Sequence, residues 1–217
     1  MKPQNNYVLC LRIKNNFQEK TKGGLQRVAE SYHRDQYLTQ NVERVFEVAE
    51  LPEELTEVRG YWKTKIDLKK GDKIFVQYHD SLFAKVIKTA DGKEYRMILY
   101  YHIIAALRKE KIIPVNGYLL FTPVYQTYKT KLNLAAPSLK VIDYRYGVIE
   151  YTSYPNYYYT KSTLENADEG IDVKKGDKVI FTDEFNKFAP ELENDIYKIL
   201  GKKYYYCQRC KIAAKTV

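Results

Sequence analysis

Residues that could build a metal site or a catalytic site are few in this chain of 217 residues, and they lie far apart. Cys207 and Cys210 form a single CxxC pair, whereas a structural zinc site needs four ligands. The other cysteine and the histidines are scattered, at Cys10, His33, His79 and His102. No serine lies in a G-x-S-x-G context, and no phosphate-binding loop matches. We therefore expect no metal, no cofactor and no enzymatic activity.

Two aspartates, Asp72 and Asp177, recur in equivalent surroundings and could be proposed as catalytic carboxylates. They lie in IDLKKGDKIFV (66–76) and IDVKKGDKVIF (171–181), which are identical at seven of eleven positions. Each of these two aspartates is alone in its turn, one per copy, so a turn-capping role is the simpler interpretation. The preceding residues, Gly71 and Gly176, can supply the positive φ of a tight turn. The aspartates can then accept hydrogen bonds from nearby backbone amides.

Three further segments recur in the same order, which indicates a repeated domain. The pairs are YVLCLRI (7–13) with YLLFTPV (118–124), VFEV (45–48) with VIEY (148–151), and GKEYRMILYYHIIAAL (92–107) with GKKYYYCQRCKIAAKT (201–216). The offsets differ by a few residues, as insertions in loops would produce. The sequence predicts two copies, 1–110 and 111–217, with the boundary near RKEKIIPVNG.

The segments that follow the Lys-Lys-Gly-Asp turns, KIFVQY and KVIFTD, have the β-branched and aromatic composition of short strands. Helical periodicity is scarce, so we predict a mostly β fold. Many short strands in about 100 residues per copy suggest a small closed or nearly closed β-barrel, because closure hides the edge strands. The chain is therefore predicted to form two such barrels in tandem.

The order of these segments resembles that of the GroES co-chaperonin family. The first copy has an opening strand that leads to Gly23-Gly24 (YVLCLRIKNNFQEKTKGGLQ), the strand RVFEVAE, the phrase LKKGDKIFV and the closing segment HIIAAL. The second copy retains YLLFTPV, GVIEY, VKKGDKVIF and KIAAK. The resemblance implies an irregular β-barrel in each copy, arranged as in the double-domain co-chaperonins of plastids. Several bacterial viruses also encode relatives of this fold.

The same resemblance implies a site for a protein partner. In that family, three consecutive apolar side chains after a Gly-Gly pair dock into an apolar groove of the chaperonin. Here Gly23 and Gly24 precede Leu25 and Val28, with Gln26 and Arg27 between them. The second copy has no Gly-Gly pair, and its corresponding segment, KTKLNLAAPSL (129–139), offers Leu132 and Leu134.

The 22 tyrosines are the most unusual feature of the composition, and many of them are clustered. The clusters include YTSYPNYYYT (151–160), YRY (144–146) and Tyr204–Tyr206. In an alternating strand, half of such rings would face outward, and tyrosine is favoured at protein interfaces. The interface candidates are Tyr154, Tyr157, Tyr158 and Tyr159. Exposed tyrosines on a basic barrel, here with a net charge of +9, are also suited to stacking on the bases of a nucleic acid.

Three functions remain open at this point. The first is a co-chaperonin that oligomerises and caps a chaperonin, and the second is a structural component of a viral particle, such as a capsid auxiliary or decoration protein. The third is a nucleic-acid-binding β-barrel, which the composition around the tyrosines at 151–160, with Lys161 as the only nearby basic residue, favours less than a protein partner. Three cysteines, and the absence of an apolar leader or span in the sequence, predict a cytoplasmic protein, or a virion protein if it is viral. We expect a homo-oligomer that does not bind membranes.

Overall fold

The computed structural model describes residues 2–13, 45–55, 66–76, 84–90, 92–128, 139–153, 172–183, 197–200 and 202–216. These residues form thirteen β-strands and two short 3-10 turns, which confirms the mostly β prediction. The strands are β1 (Tyr7–Arg12), β2 (Val45–Glu50), β3 (Lys73–Val76), β4 (Lys85–Lys88), β5 (Glu94–Leu99), β6 (Ile103–Arg108), β7 (Lys111–Pro114), β8 (Tyr118–Tyr128), β9 (Leu139–Thr152), β10 (Lys178–Phe181), β11 (Tyr197–Ile199), β12 (Lys202–Gln208) and β13 (Ile212–Thr216). None of the helical segments in these ranges is long and apolar enough to cross a membrane.

The strands form two antiparallel sheets with matching topology. The first runs β4-β5-β1-β2-β3-β6-β7 and the second β11-β12-β8-β9-β10-β13. The first six strands of one order correspond, one to one, to the six strands of the other. Among the described residues, the first and last strands of each order do not pair with each other, so neither sheet closes into a barrel there.

The chain divides into two compact units, Met1–Glu54 with Asp67–Ala106, and Leu55–Ile66 with Leu107–Val217. The predicted boundary at 110 and 111 lies in the turn between β6 and β7. That turn is made by Lys109 and Glu110, both of which have positive φ.

The two sheets repeat one another in detail, including their irregularities. The pairing of β1 with β2 shifts by one residue between Leu9 and Cys10, and the pairing of β8 with β9 shifts by one residue between Leu120 and Phe121. A β-bulge of this kind bends a strand locally and increases its twist. Because a single-residue irregularity falls at the same place in both sheets, residues 7–12 and 118–123 are structural equivalents.

The turn before the opening strand is also repeated. Asn5 and Asn6 have φ of 55° and 64°, and Asn116 and Gly117 have φ of 59° and 72°. Two consecutive residues with positive φ favour asparagine and glycine, which tolerate the left-handed region better than other residues do. The sequences NNY and NGY therefore specify the same local structure.

Backbone hydrogen bonds correct one of the predicted alignments. The amide of Val48 donates to the carbonyl of Asp72 at 2.9 Å, and the amide of Ile149 donates to the carbonyl of Asp177 at 2.9 Å. Val48 is therefore equivalent to Ile149. The predicted alignment of VFEV with VIEY is wrong by two residues, since VFEV corresponds to YGVI.

The misalignment has a physical cause in the packing of the second unit. Gly147 lies opposite two buried rings, and a Cβ atom there would be 2.7 Å from Phe121 Cδ2 and 2.9 Å from Phe181 Cζ. Those rings fill the space that a side chain at 147 would need. The equivalent positions in the first unit are Phe46, Cys10 and Val76, all of them buried. The first unit thus has its large side chain on β2, whereas the second has its large side chains on the strands next to the equivalent β9. A sequence alignment does not detect this equivalence.

Candidate functional surfaces

The corner before β3 is built around Asp72, which is buried. Its Oδ2 atom accepts a hydrogen bond from the amide of Lys69 at 2.7 Å, and its own amide donates to the carbonyl of Lys69 at 3.1 Å. Gly71 has φ of +83° and donates its amide to the carbonyl of Val48 at 2.8 Å. The carboxylate thus fixes the turn, and the backbone amide of Gly71 ties the turn to β2.

The corner before β10 has the same construction around Asp177. Its Oδ2 atom accepts from the amide of Lys174 at 2.9 Å, and Gly176, with φ of +91°, donates its amide to the carbonyl of Ile149 at 2.7 Å. Here Lys215 Nζ also lies 2.7 Å from Oδ2. This lysine, together with the hydrogen bond from Lys174, lowers the pKa of Asp177. Both aspartates therefore lie where the sequence placed them, in a turn, each with a backbone amide as donor.

Several of the predicted binding residues lie outside the described part of the chain. They are Gly23, Gly24, Leu25, Val28, Leu132 and Leu134, and the interface candidates Tyr154, Tyr157, Tyr158 and Tyr159. The described residues do reach both ends of the segment that contains Leu132 and Leu134. That segment is framed by β8 and β9.

The ends of β8 and β9 form a two-stranded arm, which we define as residues 124–128 and 139–143. The two strands of the arm pair with each other, and among the described residues they pair with no other strand. Tyr125 is 56% exposed and Val141 is 37% exposed. Tyr125 lies opposite Ile142 and Val141 lies opposite Gln126, so the two exposed side chains are on opposite faces of the arm. The arm thus presents apolar surface on both faces.

A bend at Asp143 separates the arm from the rest of the second sheet. Between Pro123 and Val124 the partner on β9 changes from Gly147 to Asp143, so three residues of β9 have no counterpart on β8. Asp143 is buried and accepts hydrogen bonds from the side chain of Gln126 and, at 3.1 Å, from the amide of Arg145. A side chain that accepts from the amide two residues later stabilises a local turn. Asp143 therefore fixes the direction in which the arm leaves the sheet.

The tyrosines at 204–206 correct another expectation, because all three are buried instead of alternating between core and surface. Tyr205 stacks on Phe121 with ring centroids 5.8 Å apart, and Tyr206 meets Tyr118 edge to face at 5.8 Å. Tyr204 meets Tyr151 at 5.7 Å. Burial and the hydrogen bond with Tyr151 raise the pKa of Tyr204 to about 12. Both faces of β12 are covered at this point, so the run contributes to the core and not to an interface.

The CxxC pair is divided between two elements. Cys207 is a buried residue of β12, opposite Leu119, as Ile98 is opposite Val8 in the first unit. Cys210 lies in the 3-10 turn Arg209–Lys211, which follows β12. Within the described ranges, no three histidine, cysteine, aspartate or glutamate side chains are grouped in a way that could hold a metal ion.

The arm was missed by the sequence analysis, although a signal for it was present. The segments VYQTY and LKVID both have strand composition, and they flank the polar, proline-containing stretch at 129–138. Two strand-like segments that flank a polar connection favour a β-hairpin, here with a loop of ten residues instead of the usual two to five.

No protein-family model matches this chain. No curated protein sequence matches it significantly either.

Proposed function

We propose that this chain is a non-enzymatic, co-chaperonin-like factor that forms oligomers and binds a chaperonin through the segment at the end of the arm. The observation that carries the proposal is the arm itself, which holds the exposed apolar side chains Tyr125 and Val141 and leads in sequence into the segment that contains Leu132 and Leu134. In the family that the sequence resembles, the equivalent connection, between the first two strands of the barrel, carries the apolar residues that enter the chaperonin groove. The duplicated sheet topology supports a common scaffold for both copies, and closure of each sheet into an irregular barrel is part of this proposal.

The chemistry of the arm suits insertion into an apolar groove. An exposed tyrosine and an exposed valine lose little by leaving water, and each such side chain that becomes fully buried stabilises a complex by about 1.5–3 kcal/mol before the costs of association. Hot spots of this kind are few and are rich in aromatic residues. Tyr125, at the base of the arm, is therefore the residue that we expect to contribute most among those described.

The oligomer in this proposal has a candidate edge in β13. Among the described residues β13 pairs with β10, and it ends the strand order of the second sheet. Its exposed Ala213 and half-buried Ala214 leave little side-chain bulk along the strand. An open strand edge is a template for pairing with another chain. Pairing of this edge with a second copy would produce a head-to-tail assembly or a symmetric one.

The test is sedimentation of the purified protein with a chaperonin in the presence of nucleotide. The double substitution Tyr125→Ser with Val141→Ser should weaken co-sedimentation about tenfold or more, since hot-spot truncations cost at least about 2 kcal/mol. Val86→Ser is the matched control, because Val86 is 38% exposed on β4 of the other unit. Wild-type protein that does not bind the chaperonin, and that instead co-purifies with a viral particle, would refute the proposal in favour of the particle component.

A further inference from the structure

Arg209 occupies a position that holds a tyrosine in the first unit. Its amide donates to the carbonyl of Gly117 at 3.1 Å, just as the amide of Tyr100 donates to the carbonyl of Asn6 at 2.8 Å. Each of these residues begins the 3-10 turn that joins the last two strands of its unit. The two backbones are therefore equivalent here, and only the side chain differs.

In the first unit this position is satisfied within the chain. Tyr100 is buried, and its hydroxyl oxygen accepts a hydrogen bond from the amide of Asp67 at 2.9 Å. Asp172 is the equivalent of Asp67 in the repeated segment. Arg209 extends toward Asp172, but its Nη1 atom lies 3.9 Å from Asp172 Oδ1, which is beyond hydrogen-bonding distance.

The guanidinium of Arg209 is poorly compensated for its burial. The side chain is only 11% exposed, and within the part of the chain that the structure describes the buried Nε has no hydrogen-bond partner. Nη2 has a long contact of 3.4 Å with the carbonyl of Ser153. Burial lowers the pKa of Arg209, and Asp172, whose carboxylate is fully exposed, offsets this only in part. A largely buried cation without a well-placed counter-charge destabilises the folded chain. An anion placed better than Asp172 would therefore bind favourably.

We propose that Arg209 receives an oxyanion from outside the chain, either a carboxylate of an acidic protein or a phosphate, which takes the place of Asp172. The planar guanidinium can present parallel N–H donors from Nη1 and Nη2, the former being the atom nearest to Asp172, and these donors match the paired oxygens of both groups. The Arg209 side chain is only 11% exposed, and a charge-assisted hydrogen bond to it is stronger than one at the open surface. The inference is independent of the proposed function, since Arg209 is not part of the arm.

The test compares thermal unfolding in sodium phosphate, sodium acetate and sodium chloride at equal ionic strength, using the full chain. The control variant is Arg209→Tyr, because the first unit already accommodates tyrosine at this position. A second variant, Asp172→Asn, removes the competing carboxylate. A ligand that binds the folded state raises the melting temperature with the logarithm of its concentration, whereas the general salting-out effect of phosphate acts equally on all three proteins.

We expect phosphate or acetate to raise the melting temperature above its value in chloride, and to do so by more in the wild type than in Arg209→Tyr. The apparent dissociation constant should be about two- to fivefold lower in Asp172→Asn, as the loss of an exposed competing ion pair predicts. A shift in acetate points to a carboxylate source, and a shift confined to phosphate points to a phosphate source. Equal shifts in all three proteins would overturn the proposal, as would a loss of anion dependence in Asp172→Asn.

Discussion

Substitution of Gly147 by alanine tests whether the second unit has redistributed its core volume. The added Cβ would lie 2.7 Å from Phe121 and 2.9 Å from Phe181, where ordinary contact begins at 3.4 Å. The rings would have to move by about 0.7 and 0.5 Å. Both rings are buried and lie 4.7 Å apart between centroids, so one cannot retreat without pressing on the core. Gly147 does not have positive φ, so the backbone itself accepts alanine without strain.

Overpacking by one methyl group costs about 1–3 kcal/mol, and the lower flexibility of alanine in the unfolded chain returns about 0.4–1 kcal/mol. We therefore expect Gly147→Ala to lower the free energy of unfolding by roughly 0.5–2 kcal/mol. Urea unfolding followed by far-ultraviolet circular dichroism measures this difference. The second substitution to make is Phe181→Val, which copies Val76 of the first unit and opens the space that the methyl group needs.

The double variant is the decisive measurement. Phe181→Val alone should be destabilising because it leaves a cavity, but Gly147→Ala should cost less in that background, with a coupling energy of about 1–2 kcal/mol. Phe46→Val in the core of the other unit is the control, and its effect should add to that of Gly147→Ala within about 0.5 kcal/mol. An alanine variant as stable as the wild type, or a double variant whose losses simply add, would show that Gly147 is not reserved for the two rings.

Two further predictions follow from individual side chains. Because Lys215 lowers the pKa of Asp177, the stabilisation from this pair is fully present above the unfolded pKa of about 4 and is lost as the pH falls through the lowered value. In Lys215→Met the side-chain carboxylate carbon (Cγ) of Asp177 should titrate at higher pH, and an unchanged titration by nuclear magnetic resonance would contradict the assignment. Cys10 and Cys207 are buried, and burial raises the pKa of the Cys10 thiol, so at most one of the three thiols should react rapidly with a disulfide reagent before unfolding. Two or more rapid thiols would be incompatible with this packing.

The features that the sequence predicted are those determined by short segments. Lys-Lys-Gly-Asp defines a turn by itself, because glycine accepts the positive φ and aspartate binds an amide three residues earlier. All four pairs of recurring segments contain strands, which occur in the same order along both halves of the chain. The exchange of Phe46 for Gly147 could not be predicted in this way, since its compensation lies on strands far away in the sequence. The burial of Tyr204–Tyr206 was missed for the same reason, because it depends on what covers the second face of β12.

The two units have different side chains at two pairs of equivalent backbone positions, Tyr100 with Arg209 and Phe46 with Gly147. At one equivalent position Tyr100 bonds to the backbone of its own unit, while Arg209 is a largely buried cation whose Nε has no partner among the described residues. At another, the first unit fills its core with Phe46, while the second uses rings from β8 and β10 around Gly147. The second exchange conserves volume, so it can drift without a functional consequence. The exchange of Tyr100 for Arg209 replaces a hydrogen-bonded side chain by a poorly compensated charge, which lowers the stability of the folded chain. Random substitution without selection would be expected to lose such a destabilising residue. The buried arginine is therefore the difference between the copies that most requires a ligand, and the aromatic exchange is the one that requires none.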